Sequence, residues 1–400
     1  MAVDTPHVLD RWIRPGCTVA LGDGAGSPTG IYADLAAAAR SAGGVRLILG
    51  WCPEVAMLDL SAFADVRVFM PGHELRPYVA AGTAHYVPVW LSHLPGLLAG
   101  VWRPDVVVMS VRETDRGLRL GSEASWIQAA ARAAGARLAV LDNALPDATR
   151  GPSLGEVIVV AETERPPVEL PSRSIDPVSA EIGDRLAALA EPGRAVQFGP
   201  GPIAEAFLAA LEVPVRVESG ILTDAVVDLD DRGLLAGVPL GTYLSGTRRV
   251  YDWADGRAVL DGVEVTHDPS RLADLDLLAI NSALQIDELG QVALDQPAGG
   301  RVAGIGGHTD YASAASRSAD GLSVIALPAT RRGRPTLVER LTLPVSTPRS
   351  VVDVVVTEHG MADLRGLTDA ECAVALRRLF PEAGGRDEDA PTLDAPEPRQ

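Results

Sequence analysis

The 400-residue sequence predicts an α/β protein made of two related halves, each an open, mostly parallel sheet covered by helices. Three observations carry this. Short β-branched runs alternate with alanine-rich helical stretches; a strand, glycine turn and helix recur once in each half; and a proline-rich polar stretch separates the two.

Strands are expected at 18–21, 45–49, 105–110, 137–141, 195–198, 277–281, 323–326 and 353–356, where Val, Ile and Leu dominate. Helices are expected at 31–42, 123–134, 177–190, 203–211 and 369–379, from their length and apolar spacing. The internal echo pairs 16–22, which leads to Pro28 and a helix, with 193–199, which leads to Pro202 and a helix. Residues 164–174 read as the linker, so the expected domains are 1–171 and 172–383, with the boundary at Pro171. Residues 384–400 hold Gly, Pro and acids with almost no apolar content and are expected to form a disordered tail.

Composition removes several function classes. The 35 basic residues are all arginine, which excludes a Schiff-base lysine, and with it pyridoxal phosphate, as well as the lysine of a P-loop. The 53 acidic residues give a net charge of −18, which argues against a nucleic-acid partner. Cys17, Cys52 and Cys372 form no CxxC pair, so neither a zinc ribbon nor a disulfide framework is expected, and a reducing cytoplasm fits. The opening residues MAVDTPHVLDRW are not signal-like, and no run reaches the ~18 apolar residues of a membrane span. A cytoplasmic protein without a membrane partner is expected.

Two glycine turns follow strands and open helices, where backbone N–H groups receive anions: 22–26 and 199–202. Neither is a full dinucleotide fingerprint, and a nicotinamide enzyme is the outside reading. A third turn, 305–311, places His308 two residues before Asp310. The other histidines, at 7, 73, 85, 93, 267 and 359, lack metal-ligand spacing, and no metal site is expected. At 281–290 a strand runs into an acidic turn, with residues 285 and 287 on one face if the strand continues that far.

Five stretches give the chain a resemblance to a known family: 245–252 (SGTRRVYD), 281–292 (NSALQIDELGQV), 304–311 (GIGGHTDY), 324–328 (VIALP) and 355–366 (VVTEHGMADLRG). The sequence resembles the acetyl-CoA hydrolase/transferase family, which includes acetate and 4-hydroxybutyrate CoA-transferases, over nearly its whole length. The resemblance implies two α/β domains of the CoA-transferase type with the active site in the cleft between them. It implies an acyl-CoA ligand, coenzyme A entering as the substrate thioester together with a small acceptor molecule, and a homo-oligomer. Gly199, Gly201, Pro202 and Ile203 match one CoA loop, and Gly306 and Gly307 match the other.

In that family a glutamate carboxylate attacks the thioester and carries CoA as an enzyme thioester. By the flanking motifs that position falls on Gln285, and an amide cannot form the acyl anhydride. His308 stands where relatives usually have glutamine, Asp310 is kept, and His359 stands where tyrosine is usual. Three readings remain open. Gln285 marks a non-catalytic acyl-CoA-binding subunit; or a transferase using another carboxylate, Asp287 or Glu288; or direct acyl transfer or hydrolysis, with Gln285 orienting the acyl group and His308, held by Asp310, as general base. The expected catalytic residues are Gln285, His308 and Asp310.

Overall fold

The computed structural model describes residues 5–294 and 304–381; the expected tail at 384–400 lies outside them. The first half contributes β1 (Thr18–Leu21), β2 (Arg46–Leu49), β3 (Asp65–Val68), β4 (His85–Tyr86), β5 (Val106–Thr114), β6 (Gly117–Arg119), β7 (Ala136–Asp142) and β8 (Ile158–Thr163). They form one sheet in the order β4-β3-β2-β1-β5-β7-β8, with β6 paired antiparallel to β5 and every other pairing parallel. Its helices are α1 (Thr5–Trp12), α2 (Tyr32–Ala42), α3 (Arg76–Ala80), α4 (Leu94–Ala99) and α5 (Ile127–Ala133).

In the second half β9 (Ala195–Phe198), β10 (Arg216–Val217), β13 (Leu278–Ser282), β16 (Leu322–Ala326), β20 (Val354–Thr357) and β21 (Gly360–Asp363) form a sheet in the order β10-β9-β13-β16-β20-β21. Only β21 is antiparallel in it. Short strands complete this half: β11 (Ile221–Leu222), β12 (Tyr243–Leu244), β14 (Gln285–Asp287), β15 (Val292–Ala293), β17 (Thr330–Arg331), β18 (Arg334–Pro335) and β19 (Leu337–Val338). Its helices are α6 (Pro177–Ala187), α7 (Pro202–Ala210), α8 (Asp224–Asp231), α9 (Arg248–Ala254), α10 (Val263–Thr266), α11 (Pro269–Ala273), α12 (His308–Ala315) and α13 (Asp369–Leu379).

The two sheets share one topology. β2-β1-β5-β7-β8 and β10-β9-β13-β16-β20 both read 2-1-3-4-5, so β1 and β9 occupy the place where the strand order reverses. Open α/β sheets bind ligands beyond the carboxyl ends of strands at that place. The internal echo in the sequence is thus a structural repeat, and the α/β class holds.

Period-2 side-chain alternation sorts the core. Val19, Leu21, Leu47 and Val108 face α1 and α2, whereas Ala20, Ile48, Val107 and Met109 face the opposite way. The second group joins Phe198, Ile280, Val324 and Val356 of the other sheet in one continuous apolar core. On its far face the second sheet packs Ala279 against Tyr311 and Ala315 of α12, and Ile325 and Val355 against Leu376 of α13. Among the described residues no helix is long and apolar enough to cross a membrane.

One expected helix starts late. The helix predicted from residue 123 begins at Ile127, because Ser125 holds a left-handed φ of +38° and the buried Glu123 side chain turns inward to accept from Ser122 Oγ and the Gly26 N–H. Residues 164–176, between β8 and α6, carry neither helix nor strand, and Pro171 lies among them.

Candidate functional site

A cavity of about 690 Å³ opens at the carboxyl edge of the second sheet. Gly201, Pro202 and Ile203 line it after β9, Ser282 and Ala283 at the end of β13, Pro328 after β16, and Glu358 after β20. Leu170, Pro171, Ser172 and Arg173 of the linker close its outer side. Gly201 caps α7 at φ +134°, a conformation that glycine adopts freely and other residues do not, and it aims the helix N-terminus at the cavity. Such an end receives anions.

Three arginines line the same space: Arg173, Arg331 and Arg332. The last two sit on the β17–β18 hairpin, whose two-residue turn has Arg332 at φ +52° and Gly333 at +70°. None of the three forms an ion pair among the described residues, although arginines elsewhere commonly do, as Arg249 with Asp228 and Asp231, Arg365 with Asp363 and Arg377 with Glu288. The lining acids are committed. Glu358 accepts the Ala329 N–H through both oxygens (2.9 and 3.1 Å), and Asp176 caps α6 through Ser179. Glu205 accepts from Ser172 Oγ (2.8 Å) and Thr223 Oγ1 (3.2 Å), and burial raises its carboxyl above the usual range.

Ile221, also in the lining, leads to the second glycine turn: its neighbour Gly220 and Gly307 both lie against the His267 imidazole. The turn 304–307 runs into α12 and is held by the first half of the chain. The Ile305 N–H donates to Tyr86 Oη (3.2 Å), Gly304 packs on the Phe69 carbonyl, and Asp310 accepts from Ser92 Oγ (2.5 Å) and the Ser92 N–H (3.3 Å). Burial pushes the Asp310 carboxyl up to about 6.

Asp310 does not hold His308. The turn has already become helix at His308, and residues two apart on a helix point to different sides. The His308 Nε2 is buried without a hydrogen-bond partner, and burial pushes the ring down to about 3, which keeps it neutral.

Gln285 is half-buried on β14, paired with Ala293 of β15, and makes no side-chain hydrogen bond among the described residues. It lies two residues past the cavity wall at Ala283 and outside the lining. A backbone path connects it to α12: Val292 O accepts the Ser346 N–H (2.8 Å), and Ser346 O accepts Thr309 Oγ1 (3.0 Å). The neighbouring carboxylates are occupied. Asp287 accepts the N–H groups of Leu289, Gln291 and Leu341, and Glu288 is in a two-bond pair with Arg377.

The structure therefore brings Gly201, Pro202 and Ile203 into the cavity, places Gly199 just before them, and sets Gly306, Gly307 and His308 around the adjoining turn. Sequence reasoning missed Arg173, Arg331, Arg332 and Glu205; the Thr330-Arg-Arg-Gly-Arg-Pro335 turn directly after a strand was the available signal.

It also missed a buried acid pair at the first sheet's switch point. Asp23 Oδ2 accepts from Trp126 Nε1 (2.8 Å), Tyr243 Oη (2.8 Å) and the Trp51 N–H (3.0 Å), and burial pushes the carboxyl up to about 7. Glu123 is pushed up to about 8 by burial, with Asp23 adding to it. The Gly24 N–H is bonded to Trp51 O and the Gly26 N–H to Glu123, and the void beside this turn is only about 10 Å³. A pyrophosphate finds no room there, which removes the basis of the nicotinamide reading. Trp51 meets Tyr243 edge-on, Trp90 stacks on His93, and Trp102 is buried in the core.

Fold and cavity together define a two-domain α/β protein of the CoA-transferase architecture. RipA from Yersinia pestis superposes with a TM-score of 0.85 at 23% identity over 94% of each chain. 4-Hydroxybutyrate CoA-transferase from Porphyromonas gingivalis does so with a TM-score of 0.76 at 22% identity, again over 94% of each. Residues 246–380 match the acetyl-CoA hydrolase/transferase C-terminal domain. The chain is 30% identical over 342 residues to the succinyl-CoA:acetate/propanoyl-CoA:succinate CoA transferase of Fasciola hepatica, covering 79% of this chain and 71% of that protein. It is 29% identical over 327 residues to the 4-hydroxybutyrate coenzyme A transferase of Clostridium kluyveri, covering 75% of each. The chain belongs to the acetyl-CoA hydrolase/transferase family.

Proposed function

We propose that this protein uses acyl-CoA thioesters and that CoA occupies the 690 Å³ cavity. The observation that carries the reading is the set of three arginines without ion-pair partners among the described residues, gathered with a helix N-terminus around one cavity in a chain of net charge −18. CoA is a long polyanion at its nucleotide end and a thioester at the other. Its phosphates suit Arg173, Arg331, Arg332 and the Gly199–Ile203 turn. The pantetheine arm then runs past Ile221 and Gly220 to the Gly306–Gly307 turn, whose backbone donors face the thioester oxygen.

The reaction is acyl transfer from sulfur to an acceptor X–H: the C–S bond breaks, a C–X bond forms, and the proton of X–H ends on the CoA thiol. Gln285 orients the acyl group, since an amide offers hydrogen bonds without a nucleophilic carboxylate. His308 supplies a neutral imidazole, and Asp310 positions the loop. A second reading, a non-catalytic acyl-CoA-binding subunit, draws on the engagement of Asp287 and Glu288, the carboxylates that follow Gln285 on its own segment.

Thiol release and CoA exchange from acetyl-, propanoyl- and butyryl-CoA, with wild type, Gln285→Glu and His308→Ala side by side, test this. Wild-type turnover lost on His308→Ala supports direct acyl transfer. CoA exchange gained only by Gln285→Glu supports the binding subunit.

A further inference from the structure

Three polar atoms around the Gly306–Gly307 turn are buried without hydrogen-bond partners among the described residues: His267 Nε2, His308 Nε2 and Tyr311 Oη. Buried polar atoms in folded proteins are nearly always paired, so three beside one turn mark a place that a bound group completes.

The His267 ring is the most tightly specified. Thr266 Oγ1 lies 3.1 Å from Gly262 O and 2.9 Å from His267 Nδ1; with its one proton assigned to Gly262 O, it accepts the Nδ1 proton. Nε2 is then a bare lone pair. The ring rests on Tyr311 with 4.8 Å between centroids. A Cβ at Gly307 would overlap Nε2, whereas a Cβ at Gly220 would stand 3.7 Å from it in ordinary contact, so Gly307 covers the atom closely and Gly220 does so more loosely. Gly220 is half-exposed and adjoins Ile221 of the cavity wall.

The nearby charges are spent. Arg271 is bonded to Glu218 Oε2 (2.8 Å) and Val265 O (2.8 Å), and Asp310 to Ser92. Burial, with a smaller push from Arg271, holds His267 down to about 3, so the ring stays neutral at physiological pH.

We propose that His267 Nε2 is the acceptor of a subsite for the second substrate, and that this subsite selects a group that donates a hydrogen bond, namely water, a hydroxyl or an amine, over a carboxylate. A carboxylate brings only lone pairs to a neutral lone pair, and Arg271, the cation that acts on the ring, is already paired with Glu218. This rests on the acyl-thioester reading above and specifies the acceptor for it.

The test measures acyl transfer from butyryl-CoA to water, ethanol, hydroxylamine, acetate and succinate, with butyryl-CoA binding measured separately by calorimetry. The proteins are wild type, His267→Phe, which keeps a ring without an acceptor, and His267→Asn, which restores one. The expected result is transfer to water, hydroxyl or amine and none to the carboxylates. His267→Phe should raise the acceptor KM about tenfold, the loss of one hydrogen bond, with butyryl-CoA affinity unchanged and His267→Asn partly restored.

CoA exchange with acetate or succinate by wild type overturns the proposal, as do unchanged KM values in both variants, or butyryl-CoA binding with no turnover. Should both variants fail to fold, the ring 15N resonance of Nε2 in wild type decides: movement on adding hydroxylamine supports the subsite, and no movement overturns it. Absence of butyryl-CoA binding overturns the acyl-thioester reading and the subsite together.

Discussion

Asp310 Oδ1 accepts a 2.5 Å hydrogen bond from Ser92 Oγ, across 218 residues of sequence and between the two halves of the chain. The carboxylate that sequence spacing assigns to His308 instead fastens α12 to the segment preceding α4. The first half of the chain thereby fixes the loop that ends the proposed acyl site.

Ser92→Ala leaves that buried carboxyl without its hydroxyl donor and should cost about 1–3 kcal/mol, read as a lowered urea midpoint. Burial raises the Asp310 pKa from 3.8 to about 6, so between those values the folded chain keeps a proton that the unfolded chain releases. Its contribution to stability falls as pH rises through that window and then levels. Asp310→Asn should flatten that part of the stability profile.

Gly307 is required for its lack of a side chain, since its φ of −88° suits any residue while a Cβ would overlap His267 Nε2. Gly307→Ala is expected to lower stability by about 1–3 kcal/mol, as overpacking does. Combining it with His267→Ala should recover much of that loss, and a double-mutant cycle on thermal midpoints measures the coupling.

Arg331→Ala and Arg332→Ala should each weaken CoA binding by about five- to tenfold, as expected for one charge-assisted contact. The effect should shrink at high salt, since both side chains are solvent-facing. Calorimetric titration of CoA at two ionic strengths checks this; equal affinity in all variants rules out the arginine-lined cavity as the nucleotide site.

Asp23 and Glu123 predict a second pH dependence. Their carboxyls are raised from 3.8 to about 7 and from 4.5 to about 8, so the folded chain retains two protons that the unfolded chain loses, and stability should fall as pH rises from about 4 to 8. Asp23→Asn should lessen this fall. Urea midpoints across that range measure it, and identical slopes in variant and wild type would exclude Asp23 as its source.

Much of the fold is legible from local pattern. All eight expected strands form, those at 18–21 and 195–198 to the residue, because β-branched runs bounded by glycine or proline have few alternatives. The helix expected from 123 starts at Ile127 instead, because Glu123 is claimed by Ser122 and by Gly26, 97 residues away. The two-residue spacing of His308 and Asp310 suggests a pair in a turn; as helix, the segment separates them.

Strand periodicity, turn chemistry and motif spacing are properties of contiguous residues, and they make the α/β class, the repeat of two sheets, the family and the glycine turns legible locally. Only the folded chain shows which charges stand unpaired at a cavity among the described residues, that Asp23 meets Tyr243, and that Gly220 and Gly307 both lie against His267. Pairing, burial and the proton on an imidazole depend on neighbours brought together from distant parts of the chain, and those neighbours are set by how the two sheets pack.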